Sequence, residues 1–148
     1  MKYSYTQEEL KNYLLEGALD TLLSDSKFKA LIVERKVAED SGHIFVNSTG
    51  HDDRCVDGIK YETKYTDYPL FGNTLRINSA GENKRAGFDF MRIVDGFNKR
   101  IFLIPHDEYF KRGKFYGNEF RWSAEYNQQD KIQRENTSLL LQYEVTKF

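Results

Sequence analysis

Asp57-Gly58, with strand-like residues on either side, fixes a reversal of direction near the middle of this chain. A two-residue type I′ turn needs positive φ at both central positions, and Asp-Gly tolerates that conformation best. Downstream, Ile59-Lys60-Tyr61-Glu62-Thr63-Lys64-Tyr65-Thr66 alternates as a half-buried strand does, because successive side chains of a strand point to opposite faces. Ile59, Tyr61, Thr63 and Tyr65 fall on one face; Lys60, Glu62, Lys64 and Thr66 fall on the other. The expectation is a β-hairpin whose polar face carries a carboxylate and an ammonium two residues apart.

Folding the preceding segment back along this strand brings Asp52 or Asp53 towards Glu62. Two carboxylates with a lysine form an oxygen-rich set of the kind that holds Mg²⁺ and activates water. The acid-x-lysine triplet alone is not selective, since Asp25-Ser26-Lys27, Glu34-Arg35-Lys36 and Glu82-Asn83-Lys84 match it too. Only Glu62-Thr63-Lys64 has an acid, a turn and an alternating strand in series. Asp53 is the reserve for Asp52, because neighbouring strand residues face opposite ways and only one can point at a metal.

Asp52, ten residues before Glu62-Thr63-Lys64, resembles the signature of the PD-(D/E)XK nuclease superfamily, with His51 where that family often has proline. Gly58-Ile59-x-x-Glu62-Thr63-Lys64 is similar to the metal hairpin of phage junction-resolving endonucleases within it. The resemblance implies an α/β fold with a restriction-endonuclease-like core, a mixed central sheet, an N-terminal helix and flanking elements. It further implies a Mg²⁺ held by Asp52, Glu62 and the Thr63 carbonyl, with Lys64 at the attacking water. Superfamily members often add an acid from the first helix, and Glu16 stands at a suitable separation from Asp52.

Thr6-Gln7-Glu8-Glu9 has the form of a capping box, and Leu10, Leu14, Ala18 and Leu22 recur at helical spacing. Residues 7–23 therefore read as an amphipathic helix. The apolar, partly β-branched run Ala30-Leu31-Ile32-Val33 predicts a strand over 28–37, and His43-Ile44-Phe45-Val46-Asn47 begins another. Leu75-Arg76-Ile77-Asn78 reads as a short strand, and 79–87 as a basic loop in which Lys84 and Arg85 would contact phosphates. After Lys64, residues 65–73 are aromatic and turn-rich; the family usually places a helix near there, and no helical period is visible. Alternation over 88–94, a turn at Asp95-Gly96-Phe97-Asn98 and the return over 99–105 make a second hairpin, similar to the late hairpin of small phage and intron-encoded endonucleases. Asp89 on it reads as solvent-facing. Asn136-Thr137 caps a closing segment with Leu139, Leu140 and Leu141.

From Lys84 to Arg121 there are nine Lys/Arg against five acids, whereas the first 25 residues hold two against five. With a net charge of −1, such asymmetry gives one face a positive potential suited to a nucleic-acid backbone. Lys111, Arg112 and Lys114 join Lys84 and Arg85 as candidate DNA contacts. The single cysteine, Cys55, excludes an internal disulfide and a cysteine-rich zinc site, and fits a reducing, cytoplasmic setting. No apolar run reaches membrane-spanning length, and the amino terminus lacks a signal-peptide core. The reading is a single domain over 1–148: a Mg²⁺-dependent endodeoxyribonuclease, site-specific on double-stranded DNA and acting as a homodimer with one site per strand. A junction resolvase with the same chemistry and a non-catalytic nucleic-acid-binding or interaction protein are the alternatives.

Overall fold

The computed structural model describes residues 4–46, 51–67, 75–80, 87–116, 119–124 and 138–145, with backbone alone for 75–80, 116, 119 and 121–124. The N-terminal segment is helical as its pattern predicts. Thr6 Oγ1 accepts from the Glu9 amide at 3.2 Å and Glu9 Oε2 from the Thr6 amide at 2.8 Å, which starts α1 (Gln7–Tyr13). The helix does not run straight. It kinks within Leu14–Ala18, where Gly17 lies at a non-helical φ of 128°, a backbone state that glycine alone adopts without strain, and α2 (Leu19–Leu23) follows. Leu14, Ala18 and Leu22 of the predicted stripe are half-buried, while Leu10 remains exposed.

The strand expected at 28–37 is instead α3 (Ser26–Asp40), capped by Asp25, whose Oδ1 accepts from the Phe28 amide at 2.9 Å. Four consecutive apolar residues satisfy a buried strand and a helix equally well, and length decides between them. The fifteen-residue helix is supported on its outer side by Arg35–Glu39 and Lys36–Asp40 pairs at i,i+4, a spacing that brings side chains together only in a helix.

The main sheet has six strands in the order β1-β2-β3-β5-β6-β9. These are β1 (Ile44–Phe45), β2 (Asp53–Arg54), β3 (Lys60–Thr66), β5 (Phe90–Asp95), β6 (Arg100–Pro105) and β9 (Glu144–Val145). All pairs are antiparallel except β3 with β5, which run parallel with Thr63 beside Arg92 and Lys64 beside Ile93. The sheet is therefore mixed and the class α/β. The crossover joining the parallel pair carries β4 (Leu75–Ala80), which belongs to a second antiparallel sheet with β8 (Glu119–Ala124) and β7 (Lys114–Tyr116). Among the described residues no helix lies between β3 and β5.

Met91 and Ile93 of β5 and Phe102 and Ile104 of β6 make one face of the apolar core. Phe88, Phe120, Leu139, Leu140 and Tyr109 of α4 (His106–Lys111) complete it. Pro105 ends β6 and opens α4, as its missing N–H requires. α3 lies on the opposite face, with Lys29 Nζ 5.7 Å from the centre of the Tyr65 ring. No helix among the described residues is long and apolar enough to cross a membrane.

The last strand is held by a fork: Arg100 Nε and Nη2 donate to Glu144 Oε1 and Oε2 at 2.7 and 2.9 Å. That guanidinium keeps the Glu144 carboxyl below its ordinary value of 4.5. A carboxyl depressed by folding contributes stability above its unfolded pKa and loses it as pH falls through the folded one. In thermal unfolding at pH 7 the parent should exceed Glu144→Gln by no more than about 1 kcal/mol, since the pair is partly solvated. The margin should vanish well below pH 4.5.

Candidate active site

The central hairpin forms where Asp57-Gly58 predicts it, but with a different turn. The Gly58 amide donates to the Cys55 carbonyl and the Cys55 amide to Ile59, both at 3.0 Å, and only Gly58 of the turn has positive φ, 83°. This is the longer loop in which a type I turn is followed by a left-handed glycine. Asp57 is thereby spared positive φ, and the register still sets Arg54 opposite Lys60 and Asp53 opposite Tyr61.

At Asp52 the ladder changes. The Asp52 amide donates to the Tyr61 carbonyl at 2.8 Å, although Asp53 is already the register partner of Tyr61. Two residues against one is a β-bulge, a device that re-aims side chains. Asp52 Oδ2 accepts from the Thr63 amide at 2.7 Å, so its carboxylate sits on the peptide that links Glu62 to Thr63. A strand residue's N–H and C=O project to the same edge, which aims the Thr63 carbonyl at the edge that Asp52 occupies.

Glu62 is fully buried and Asp52 is 5% exposed. Lys64 Nζ donates to Glu62 Oε1 at 3.0 Å, with the lysine 27% exposed. Asp52, Glu62, Thr63 and Lys64 are thus linked through one peptide and one charge-assisted bond. The lysine is the member of this group that meets solvent. His51 borders the group, and burial, then the nearby Lys60, hold its imidazole below the ordinary histidine pKa.

Asp53 faces the other way, as alternation predicts. It is fully buried and takes a forked pair from Arg92: Nη1 to Oδ1 at 2.6 Å and Nη2 to Oδ2 at 3.1 Å. Arg92 Nη1 also donates to Thr63 Oγ1 at 3.0 Å, and its guanidinium lies 4.8 Å from the centre of the Tyr61 ring. His43 Nδ1 lies 2.8 Å from Asp53 Oδ2, and its ring is 4.6 Å from that of Tyr61. Burial raises the Tyr61 pKa. The two sides of β3 therefore differ in kind, one carrying the buried acids with a lysine that solvent reaches, the other a closed ionic brace.

Several expected contributors lie elsewhere. Glu16 is exposed beside the Gly17 kink, and among the described residues no group of three His, Cys, Asp or Glu is placed to hold a metal ion. Glu16 therefore does not join Asp52 and Glu62 in such a group. Arg92, counted with the positive face, is fully buried, and Arg100 is committed to Glu144. Lys84 and Arg85 fall outside the described residues. Lys111 and Lys114 are exposed, and Arg112 is half-buried at the end of α4. Asp89 is exposed as expected, and its Oδ2 accepts from the Lys60 amide at 2.9 Å.

The sequence pattern missed Arg92 and His43. Arg92 sits in an alternating apolar strand, and only the parallel register sets it beside Thr63. No protein-family model matches the chain, and no curated protein shows significant similarity to it.

Proposed function

We propose that this chain is a Mg²⁺-dependent endonuclease that hydrolyses phosphodiester bonds in double-stranded DNA, on a restriction-endonuclease-like core. One observation carries the reading: Asp52 is fixed on the Glu62–Thr63 peptide while Lys64 is fixed on the Glu62 carboxylate. The donor set fits Mg²⁺, a hard ion bound by oxygen through one or two carboxylates. Asp52, Glu62 and the Thr63 carbonyl would hold it. A carboxylate oxygen has lone pairs beyond the one used in a single hydrogen bond, so the bonds to Thr63 and Lys64 leave capacity for a cation.

The bound ion would supply Lewis acidity and lower the pKa of water at the site. The chain's own groups do the rest. The Thr63 amide orients the Asp52 carboxylate before substrate arrives, which removes reorganisation from the reaction itself. The Lys64 ammonium orients the attacking water and offsets the negative charge that grows on the phosphorus oxygens. Its bond to Glu62 keeps the long side chain in place. A symmetric pair of chains would present one such site to each strand.

The test is incubation of the pure protein with supercoiled plasmid, linear duplex and a four-way junction, with Mg²⁺ or with chelator. Linear plasmid product with ends at defined positions, in Mg²⁺ only, is the expected result. Strong preference for the junction would move the reading to a resolvase. Absence of cutting on all three substrates would overturn it in favour of a binding protein.

A further inference from the structure

Arg54 and Lys60 face each other directly across the β2–β3 hairpin, and both are exposed. Like charges at opposed strand positions destabilise a hairpin, whereas a surface under no other demand would pair either residue with an acid. Among the described residues neither side chain has an ion-pair partner. Alternation along β3 puts Lys60, Glu62 and Lys64 on the same face, and the register puts Arg54 on that face too. The hairpin thus presents two unpaired cations one strand step before the buried acid and its lysine.

We propose that Arg54 and Lys60 form a phosphate clamp that grips the DNA backbone at the phosphate next to the one being cut. The clamp rests on the nuclease reading for its partner. Two residues of strand span roughly 6.6–6.8 Å, close to the separation of successive phosphates along one nucleic-acid strand. A phosphodiester at Glu62 and Lys64 therefore sets its neighbour over Arg54 and Lys60. An arginine fork and a lysine point charge, closing from two strands, neutralise one phosphate and fix the strand's direction across the site. The same anion removes the repulsion that the pair costs the free protein. Sequence plays no part in such a contact, so the clamp sets register and not target choice.

The test measures binding of a labelled linear duplex by fluorescence anisotropy across a KCl series, with Ca²⁺ replacing Mg²⁺ to suppress cutting. For Arg54→Ala/Lys60→Ala the slope of log affinity against log salt should become shallower by roughly 1–2. Affinity at low salt should fall roughly tenfold to a hundredfold. Arg54→Lys alone should keep most of both. The melting temperature of the double variant in low salt should hold or rise, because a repulsive pair is gone.

An unchanged slope and affinity, no salt-dependent DNA binding by the parent, or a clear fall in melting temperature would each overturn the clamp. Plasmid cleavage in Mg²⁺ is scored separately. Weakened binding by the double variant with no cutting by the parent keeps the clamp and removes the nuclease. Undiminished binding and cutting by the double variant does the reverse.

Discussion

Glu62→Gln and Lys64→Ala should each reduce Mg²⁺-dependent plasmid cleavage by about 10²–10³-fold or more, while duplex affinity in Ca²⁺ stays within about threefold of the parent. The two changes act on different parts of the site. Glutamine keeps the shape of Glu62 and one oxygen for Lys64, but removes the charge that would hold the cation. Alanine at 64 leaves the carboxylates intact and removes the ammonium that would orient water. Both residues meet at the 3.0 Å contact, so the double variant should be little worse than either single one, as groups that work as a unit are non-additive. Rates from plasmid nicking and linearisation under single-turnover conditions measure this. Near-parental cleavage by Lys64→Ala would remove the assignment of the site.

Asp53→Ala is expected to cost about 3–5 kcal/mol of folding stability, the usual penalty for stripping the partner from a buried charge. Both Asp53 and Arg92 are fully buried, and Arg92 also serves Thr63 and Tyr61. The guanidinium cannot lose its proton, so it would remain ionised and uncompensated beneath the sheet. A loss of that size is a large share of the roughly 5–15 kcal/mol that holds a domain together. In urea unfolding the midpoint should fall with little change in slope. Asp53→Leu/Arg92→Met should recover much of the loss, because it removes the desolvated charges together. A midpoint shift worth less than about 1 kcal/mol for Asp53→Ala would show that the pair is not the brace of this sheet.

What could be read in advance was local. Gly58, the alternation from Ile59 to Thr66 and the spacing from Asp52 to Lys64 all act within one hairpin, and a hairpin is specified by its turn and its period. Even there the turn differed in type, because backbone twist and loop length decide between turns that share Asp-Gly. The run from Ala30 to Val33 misled because apolar content does not reveal the period it will adopt. Asp25 before Phe28 was the helix-start signal that outweighed it.

Arg92 was invisible for a different reason. A lone arginine among Phe90, Met91, Ile93 and Val94 reads as a solvent-facing strand position. It becomes a buried ion only when its parallel neighbour β3 supplies Thr63 and the next strand, β2, supplies Asp53. Parallel pairing requires a long crossover, and no short-range pattern states which strands it will join. Likewise the strand predicted near Leu75 exists, but its place in a second sheet with β8 depends on partners 39 to 49 residues away.

The bulge at Asp52 and the fork at Arg92 give the molecule an order of assembly. Thirteen residues, 52–64, carry Asp52, Glu62 and Lys64, and closing so short a loop costs little chain entropy. Arg92 reaches Asp53 across 39 positions, a contact that waits for the slower, non-local pairing. The group of Asp52, Glu62 and Lys64 can therefore be drawn together early, yet it hardens only when the distant strand locks in. Any fluctuation that peels those two parallel strands apart would soften it long before the hairpin itself came undone.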